Sequence, residues 1–105
     1  MKTFSERVVE IATAIPKGKV TTYGRIARAA GAGPMASQSI TSILDKAGQN
    51  GVRNIPFHRI VYADGKIWVS PSRRKERLAL YKKEGIKIDS KDRIINFRDK
   101  LLEFK

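Results

Sequence analysis

The feature that most limits how this chain folds is a series of three short amphipathic segments, divided by glycine- and proline-marked breaks and ending at Gly48. Thr3 followed by Glu6 is a capping-box pattern, and Phe4, Val8, Ile11, Ala12 and Ile15 fall on one helical face, which predicts a first helix starting near Thr3. Pro16-Lys17-Gly18-Lys19 breaks it, because the residue before a proline disfavours the helical region and glycine permits the turn. A second helix fits Tyr23 to Ala30, with Thr22 as N-cap and Gly31 where a left-handed residue is needed. After Ala32-Gly33-Pro34, a third is predicted from about Met35 to Ala47, closed by Gly48.

On the third segment Ala36, Ile40, Ile43, Leu44 and Ala47 form the stripe, while Gln38, Ser42 and Asp45 point the other way. Helix, short turn and helix, the last small and polar on its outer face, is a helix-turn-helix pattern. Small groups such as Ser37, Thr41 and Ser42 leave that face free to enter a major groove.

The polar loop Gln49 to Asn54 leads into Ile55-Pro56-Phe57-His58-Arg59. Two β-rich runs, Arg59 to Tyr62 and Lys66 to Val69, flank Ala63-Asp64-Gly65, where Asp-Gly is a hairpin signal, and Trp68 would pack within that hairpin. A hairpin behind a helix-turn-helix is a wing, so the expected fold class is mainly α with a small β-hairpin, a winged helix-turn-helix. A fourth helix is expected from Pro71 or Ser72 to Glu84, stopped by Gly85, with Leu78 and Tyr81 as core contacts. Its cluster Arg73, Arg74, Lys75 and Arg77 reads either as phosphate contacts or as a solvated face. Ile94, Phe97, Leu101 and Leu102 at helical spacing predict a final helix in the tail from Ser90.

Composition narrows the function. A chain of 105 residues supports one domain, 1–105, with one modest core. Its 22 Lys and Arg against 10 Asp and Glu, net +12, favour a polyanionic partner through counterion release from phosphates, and nucleic acid before an anionic membrane surface. No amphipathic basic helix with an aromatic face supports the membrane alternative. With no cysteine and a single histidine, thiolate nucleophiles, disulfides and cysteine- or histidine-rich metal sites are excluded, and no cofactor is expected. The N-terminus has no apolar signal core, which predicts an intracellular protein, cytoplasmic and nucleoid-associated, or nuclear in a eukaryote.

Pro16-Lys17-Gly18-Lys19-Val20-Thr21-Thr22-Tyr23-Gly24-Arg25-Ile26-Ala27, followed about thirty residues later by Ile55-Pro56-Phe57-His58-Arg59-Ile60-Val61, resembles the C-terminal DNA-binding domain of the O6-alkylguanine-DNA alkyltransferases. The resemblance spans roughly Phe4 to Ile88. In that family the second motif carries, where Phe57 stands, the cysteine whose thiolate accepts the alkyl group of a flipped-out guanine. Phenylalanine has no lone pair for attack, so the pattern is that of the alkyltransferase-like proteins, which bind alkylated guanine without repairing it and present it to nucleotide excision repair.

The resemblance implies residue roles. Tyr23 would crowd the target phosphate and promote rotation of the nucleotide; its alternative is a core or cap tyrosine. Gln38 takes the place of the arginine that fills the hole left by the base, or is a solvent-facing helix residue. Thr22, Tyr23, Ser37, Gln38, Ser42 and Arg59 are the candidate DNA contacts, with Arg59 on phosphate or on a carboxylate such as Asp45. Tyr23, Pro56, Phe57, His58, Ile60 and Ser70 are the candidate lesion pocket, in which the backbone carbonyls of Phe57 and Ile60 would accept from the guanine edge. His58, part of the family's proton relay, has no thiol to activate and should make a structural hydrogen bond; the relay glutamate would fall near Leu78. Ser70 stands where relatives place a tyrosine or an arginine, leaving no recognisable electrostatic reader in the pocket. Asn50, and Gln49 beside it, fall in the loop of the family's hinge asparagine.

The expected function is therefore a monomeric, non-catalytic binder of double-stranded DNA that recognises O6-alkylguanine by nucleotide flipping and flags it for nucleotide excision repair. The alternative is a winged-helix regulator without lesion preference, which leaves the Pro56 to Val61 motif without a purpose. An enzyme using another nucleophile finds no Ser-His-Asp set, paired-carboxylate signature or metal constellation, and a decayed paralogue would bind duplex without preference.

Overall fold

The computed structural model describes residues 2–32, 34–67 and 70–102, apart from the side chains at positions 34, 35 and 37. Helix α1 spans Phe4–Thr13, and Thr3 Oγ1 caps it by accepting from the Glu6 N–H at 3.2 Å. A two-residue strand β1, Thr21–Thr22, runs into helix α2, Tyr23–Ala29, where Thr22 Oγ1 accepts from the Arg25 N–H at 3.2 Å. Gly31 ends α2 at φ 94°, as expected of a left-handed stop. Helix α3 occupies Ile40–Gln49 and is shorter at its start than expected. Pro34–Ser39 wind instead as a 3-10 segment, since Pro34 has no N–H to donate and Ser39 provides no side-chain cap.

The three helices enclose a core of Val8, Ala12, Ile15, Ile26, Ala27, Ala30, Ile40, Leu44 and Ile60. Burying each large aliphatic member contributes roughly 1.5–3 kcal/mol. This is the helix-turn-helix read from the sequence.

The β structure departs from the expected hairpin. Strand β2, Ile60–Val61, pairs in parallel with β1, Thr21 against Ile60 and Thr22 against Val61. Successive strand residues face opposite ways, so Ile60 enters the helical core and Val61 a second one. The Asp-Gly turn does form, with Tyr62 N–H donating to Lys66 O at 3.0 Å and Gly65 at φ 84°. A Cβ at Gly65 would lie 3.0 Å from the Phe97 ring on a backbone already in the left-handed region, so a side chain there would strain the turn. The returning arm, however, bonds to the C-terminal segment, Ile67 N–H to Asp92 O at 2.8 Å and Ile94 N–H to Gly65 O at 3.0 Å. Both Ile67 and Ile94 are thereby buried, which a free two-stranded wing would not achieve. Trp68 and Val69, and with them the expected packing of Trp68, lie outside the described residues.

Helix α4, Arg74–Lys83, follows a 3-10 turn over Pro71–Arg73 and ends before Gly85, φ 76°. Tyr81 projects from it into the second core with Val20, Val61, Ile67, Ile86 and Ile94, and Leu78 packs against the margin. The final helix is short: α5 covers only Phe97–Lys100. Around it the tail is bridged, Ile88 to Ile94 and Leu101 to Val20, because the Val20 backbone offers an open edge, donating to Lys100 O and accepting from Leu102 N–H. The result is mainly helical with a small sheet. Among the described residues no helix is long and apolar enough to cross a membrane.

Candidate nucleic-acid interface

The second sequence motif winds as a 3-10 turn, Phe57–Arg59, held by the Arg59 N–H on Pro56 O at 2.9 Å. With three residues per turn, consecutive side chains diverge by about 120°. Phe57 faces one side, and the longer reach of Arg59 lets it meet His58 at the carboxylate of Glu84 on another.

Glu84, just beyond α4, is the hub of that second side. Its carboxylate accepts from Arg59 Nε at 3.0 Å and Nη2 at 2.9 Å, from His58 Nε2 at 2.6 Å and from the Gly18 N–H at 3.1 Å. Arg59 Nη1 also donates to Ile15 O at 2.9 Å, so one carboxylate and one guanidinium join the end of α1, the second motif and α4. Burial alone would raise the Glu84 carboxyl, but the hydrogen bonds from Arg59, His58 and Gly18 outweigh it and lower it to about 2. An ionised Glu84 only accepts, so His58 Nε2 carries the proton. Burial lowers the His58 pKa, and Arg59 and Arg77 add to the effect against the pull of Glu84. His58 also meets the Tyr81 ring edge-on, centroids 5.9 Å apart, and burial pushes the Tyr81 phenol up to about 12 against the nearby Arg77.

These contacts confirm a hydrogen-bonded His58 and correct three other expectations. The carboxylate that the resemblance placed near Leu78, and so treated as lost, is present on His58 as Glu84, because the end of α4 reaches the 3-10 turn. Of its two alternatives Arg59 takes a carboxylate, with Glu84 in place of Asp45, and it is not free for a phosphate, because both of its edges are engaged and its side chain is 14% exposed. His58 is likewise turned out of the pocket.

On the Phe57 side lies a cavity of about 360 Å³, toward the small end of the roughly 300–1,000 Å³ of ligand pockets. Tyr23 at the start of α2, Thr41 and Asp45 on α3, Phe57 and Ile60 from the motif, and Ser70, Arg73 and Arg77 leading into α4 line it. Tyr23, Phe57, Ile60 and Ser70 were expected there and meet there. Pro56 is buried behind the turn it starts and is not on the wall. The Tyr23 ring packs on Tyr62, centroids 5.9 Å apart at 46°, and burial raises its phenol, opposed by the Thr41 hydroxyl.

Thr41 and Asp45, four residues apart, share the cavity face of α3, whereas Ser42 and Lys46 face a separate open groove against α1. Ser42 is therefore not on the wall of the cavity that Tyr23 lines. Gln38 is exposed in the 3-10 segment that enters α3, and the side chain of Ser37 lies outside the described residues. The Thr22 hydroxyl is committed to its cap and the residue is 7% exposed, which removes its side chain from the contacts expected with DNA. Asn50, in the expected hinge loop, donates its backbone N–H to Lys46 O and Ala47 O at the end of α3. Sequence reasoning missed Thr41, Asp45, Arg73 and Arg77 as wall residues. The basic cluster of Arg73, Arg74, Lys75 and Arg77 was the available signal, and four-residue spacing puts its first and last members on one helical face. They supply charged groups on the wall that Ser70 does not.

The comparisons with known proteins agree with this architecture. Over 92 residues, 87% of this chain and 68% of theirs, the chain is 35% identical to proteins named DNA base-flipping protein from Escherichia coli and Shigella flexneri. Its fold matches S. pombe Atl1 in a complex with damaged DNA containing O6-carboxymethylguanine, at TM-score 0.72 and 24% identity over 98% of this chain and 99% of that one. A Mycobacterium tuberculosis OGT structure matches at TM-score 0.59 and 28% identity, over 80% of this chain and 49% of that one. The family described as 6-O-methylguanine DNA methyltransferase, DNA binding domain, matches residues 3–86. With a helix-turn-helix, the paired motifs and that match over most of its length, this chain belongs to the 6-O-methylguanine DNA methyltransferase DNA-binding domain family.

Proposed function

We propose that this protein binds duplex DNA, rotates an O6-alkylated guanine into the cavity beside Phe57, and holds it there without making or breaking a bond. The observation that carries the reading is the cavity itself: α3, the second motif and the approach to α4 build a base-sized recess beside Tyr23, and at the position of the family's nucleophile stands a phenylalanine. A net charge of +12 supplies affinity for the phosphate backbone. Extruding a base costs a few kcal/mol and less for a weakly paired one, so a damaged guanine enters more readily than an intact one. Phe57 offers an apolar and stacking surface, contributing roughly 1–3 kcal/mol where a base stacks on it. Relatives named DNA base-flipping protein, and an Atl1 structure holding DNA with O6-carboxymethylguanine, support this reading. The persistent complex then serves as a flag for nucleotide excision repair enzymes.

Fluorescence-anisotropy titration of two duplexes that differ only in guanine or O6-methylguanine, at matched salt, tests it. We expect tighter binding of the lesion, with no methyl group found on the protein by mass spectrometry. Equal, salt-sensitive affinities would reduce the function to general duplex binding. Methylated protein would show that a nucleophile operates.

A further inference from the structure

The cavity holds two cations that the flipping reading does not use. Arg73, in the turn that enters α4, and Arg77, one helical turn later, both line its wall. Arg77 is half-buried and lies against the Tyr81 hydroxyl. The ion pairs of the described residues join Lys2 to Glu10, Arg59 to Glu84, Arg74 to Asp92 and Arg93 to Asp64, and none involves Arg73 or Arg77. Asp45, the carboxylate on the same wall, forms no ion pair with either. A half-buried guanidinium without a carboxylate presents donors in a planar fork that suits an anionic oxygen pair. Next to Phe57, such a fork meets the part of an O6-adduct that projects beyond the base.

We propose that Arg77, assisted by Arg73, makes this cavity selective for O6-guanine adducts whose substituent carries a negative charge, such as a carboxylate, over neutral adducts of the same size. This selectivity rests on the flipping reading above and adds a substrate class to it. Asp45 opposes the effect, since its charge repels the substituent that the guanidiniums attract. Two cations against one anion leave the wall positive.

The test uses the full chain and four duplexes that differ at one base: guanine, O6-methylguanine, O6-carbamoylmethylguanine and O6-carboxymethylguanine. The last two are matched in shape and differ in charge. We expect the carboxymethyl duplex to bind about tenfold more tightly than the carbamoylmethyl one, the scale of one hydrogen bond between charged partners. Arg77→Gln should bring the two to near equality while both keep their advantage over guanine. Asp45→Asn, an exposed substitution that asks little of the fold, should widen the gap. If the protein binds both matched adducts equally and both better than guanine, charge selection is overturned while flipping stands. If no adduct outbinds guanine, the flipping reading fails and this proposal with it. If Arg77→Gln weakens all four duplexes by one factor, the guanidinium is on a DNA phosphate and the proposal is overturned.

Discussion

Replacing Glu84 by Gln removes the charge from the group that joins α1, the Phe57–Arg59 turn and α4. Glu84 is 7% exposed and Arg59 14%, so the guanidinium would be left in the interior without its counter-ion. The Glu84 carboxyl lies at about 2 against an ordinary 4.5, and at about 1.36 kcal/mol per pKa unit this gap corresponds to ~3 kcal/mol of native-state stabilisation. Breaking one partner of a buried pair costs ~3–5 kcal/mol by a separate route, and glutamine, which keeps the shape and one acceptor, belongs at the low end. A loss of about 3 kcal/mol leaves a domain of about 5–15 kcal/mol folded, so both proteins can be compared. Because the folded pKa lies below the unfolded one, this stabilisation is fully present above pH 4.5 and disappears as pH falls through about 2. Urea unfolding followed by circular dichroism, from pH 7 down to pH 3, reads the difference between wild type and Glu84→Gln and cancels the titration of the other carboxylates. We expect a gap of about 3 kcal/mol that is flat to about pH 5 and narrows below 4.5. A gap under about 1 kcal/mol at pH 7, or one that stays constant to pH 3, would refute the charge-hub account.

Three more outcomes separate stability from recognition. Thr22→Ala should cost about 1 kcal/mol in thermal or urea unfolding through loss of the α2 cap, while duplex affinity of the folded protein stays unchanged. Tyr23→Phe keeps the ring against Tyr62 and removes the hydroxyl at the cavity; anisotropy titrations should show lesion affinity falling more than affinity for intact duplex. Gln38→Arg, at an exposed position entering α3, should tighten lesion binding several-fold and steepen the logarithmic salt dependence by about one unit.

What the sequence determined by itself was local and periodic. The caps at Thr3 and Thr22, the stripes of α1 and α3 and the stop at Gly31 follow from interactions within one or two turns, so they were readable in order. The paired motifs and the phenylalanine at position 57 were equally legible, because identity at a motif position needs no coordinates. Long-range pairing was not. The apolar spacing of Ile94, Phe97, Leu101 and Leu102 suited a helix, yet the open backbone edge at Val20 and the Asp64-Gly65 turn drew the tail into bridges instead. Arg59 and Glu84 are 25 residues apart, and no local pattern says which carboxylate a guanidinium will find once both are buried. Only the tertiary structure decided that Arg59 stabilises the fold, that Ser42 lies off the cavity wall, and that Arg73 and Arg77 charge that wall. The physical reason is common to all three: solvent exposure and partner choice belong to the packing of elements distant in the chain, and a side chain's chemistry depends on which of them closes around it.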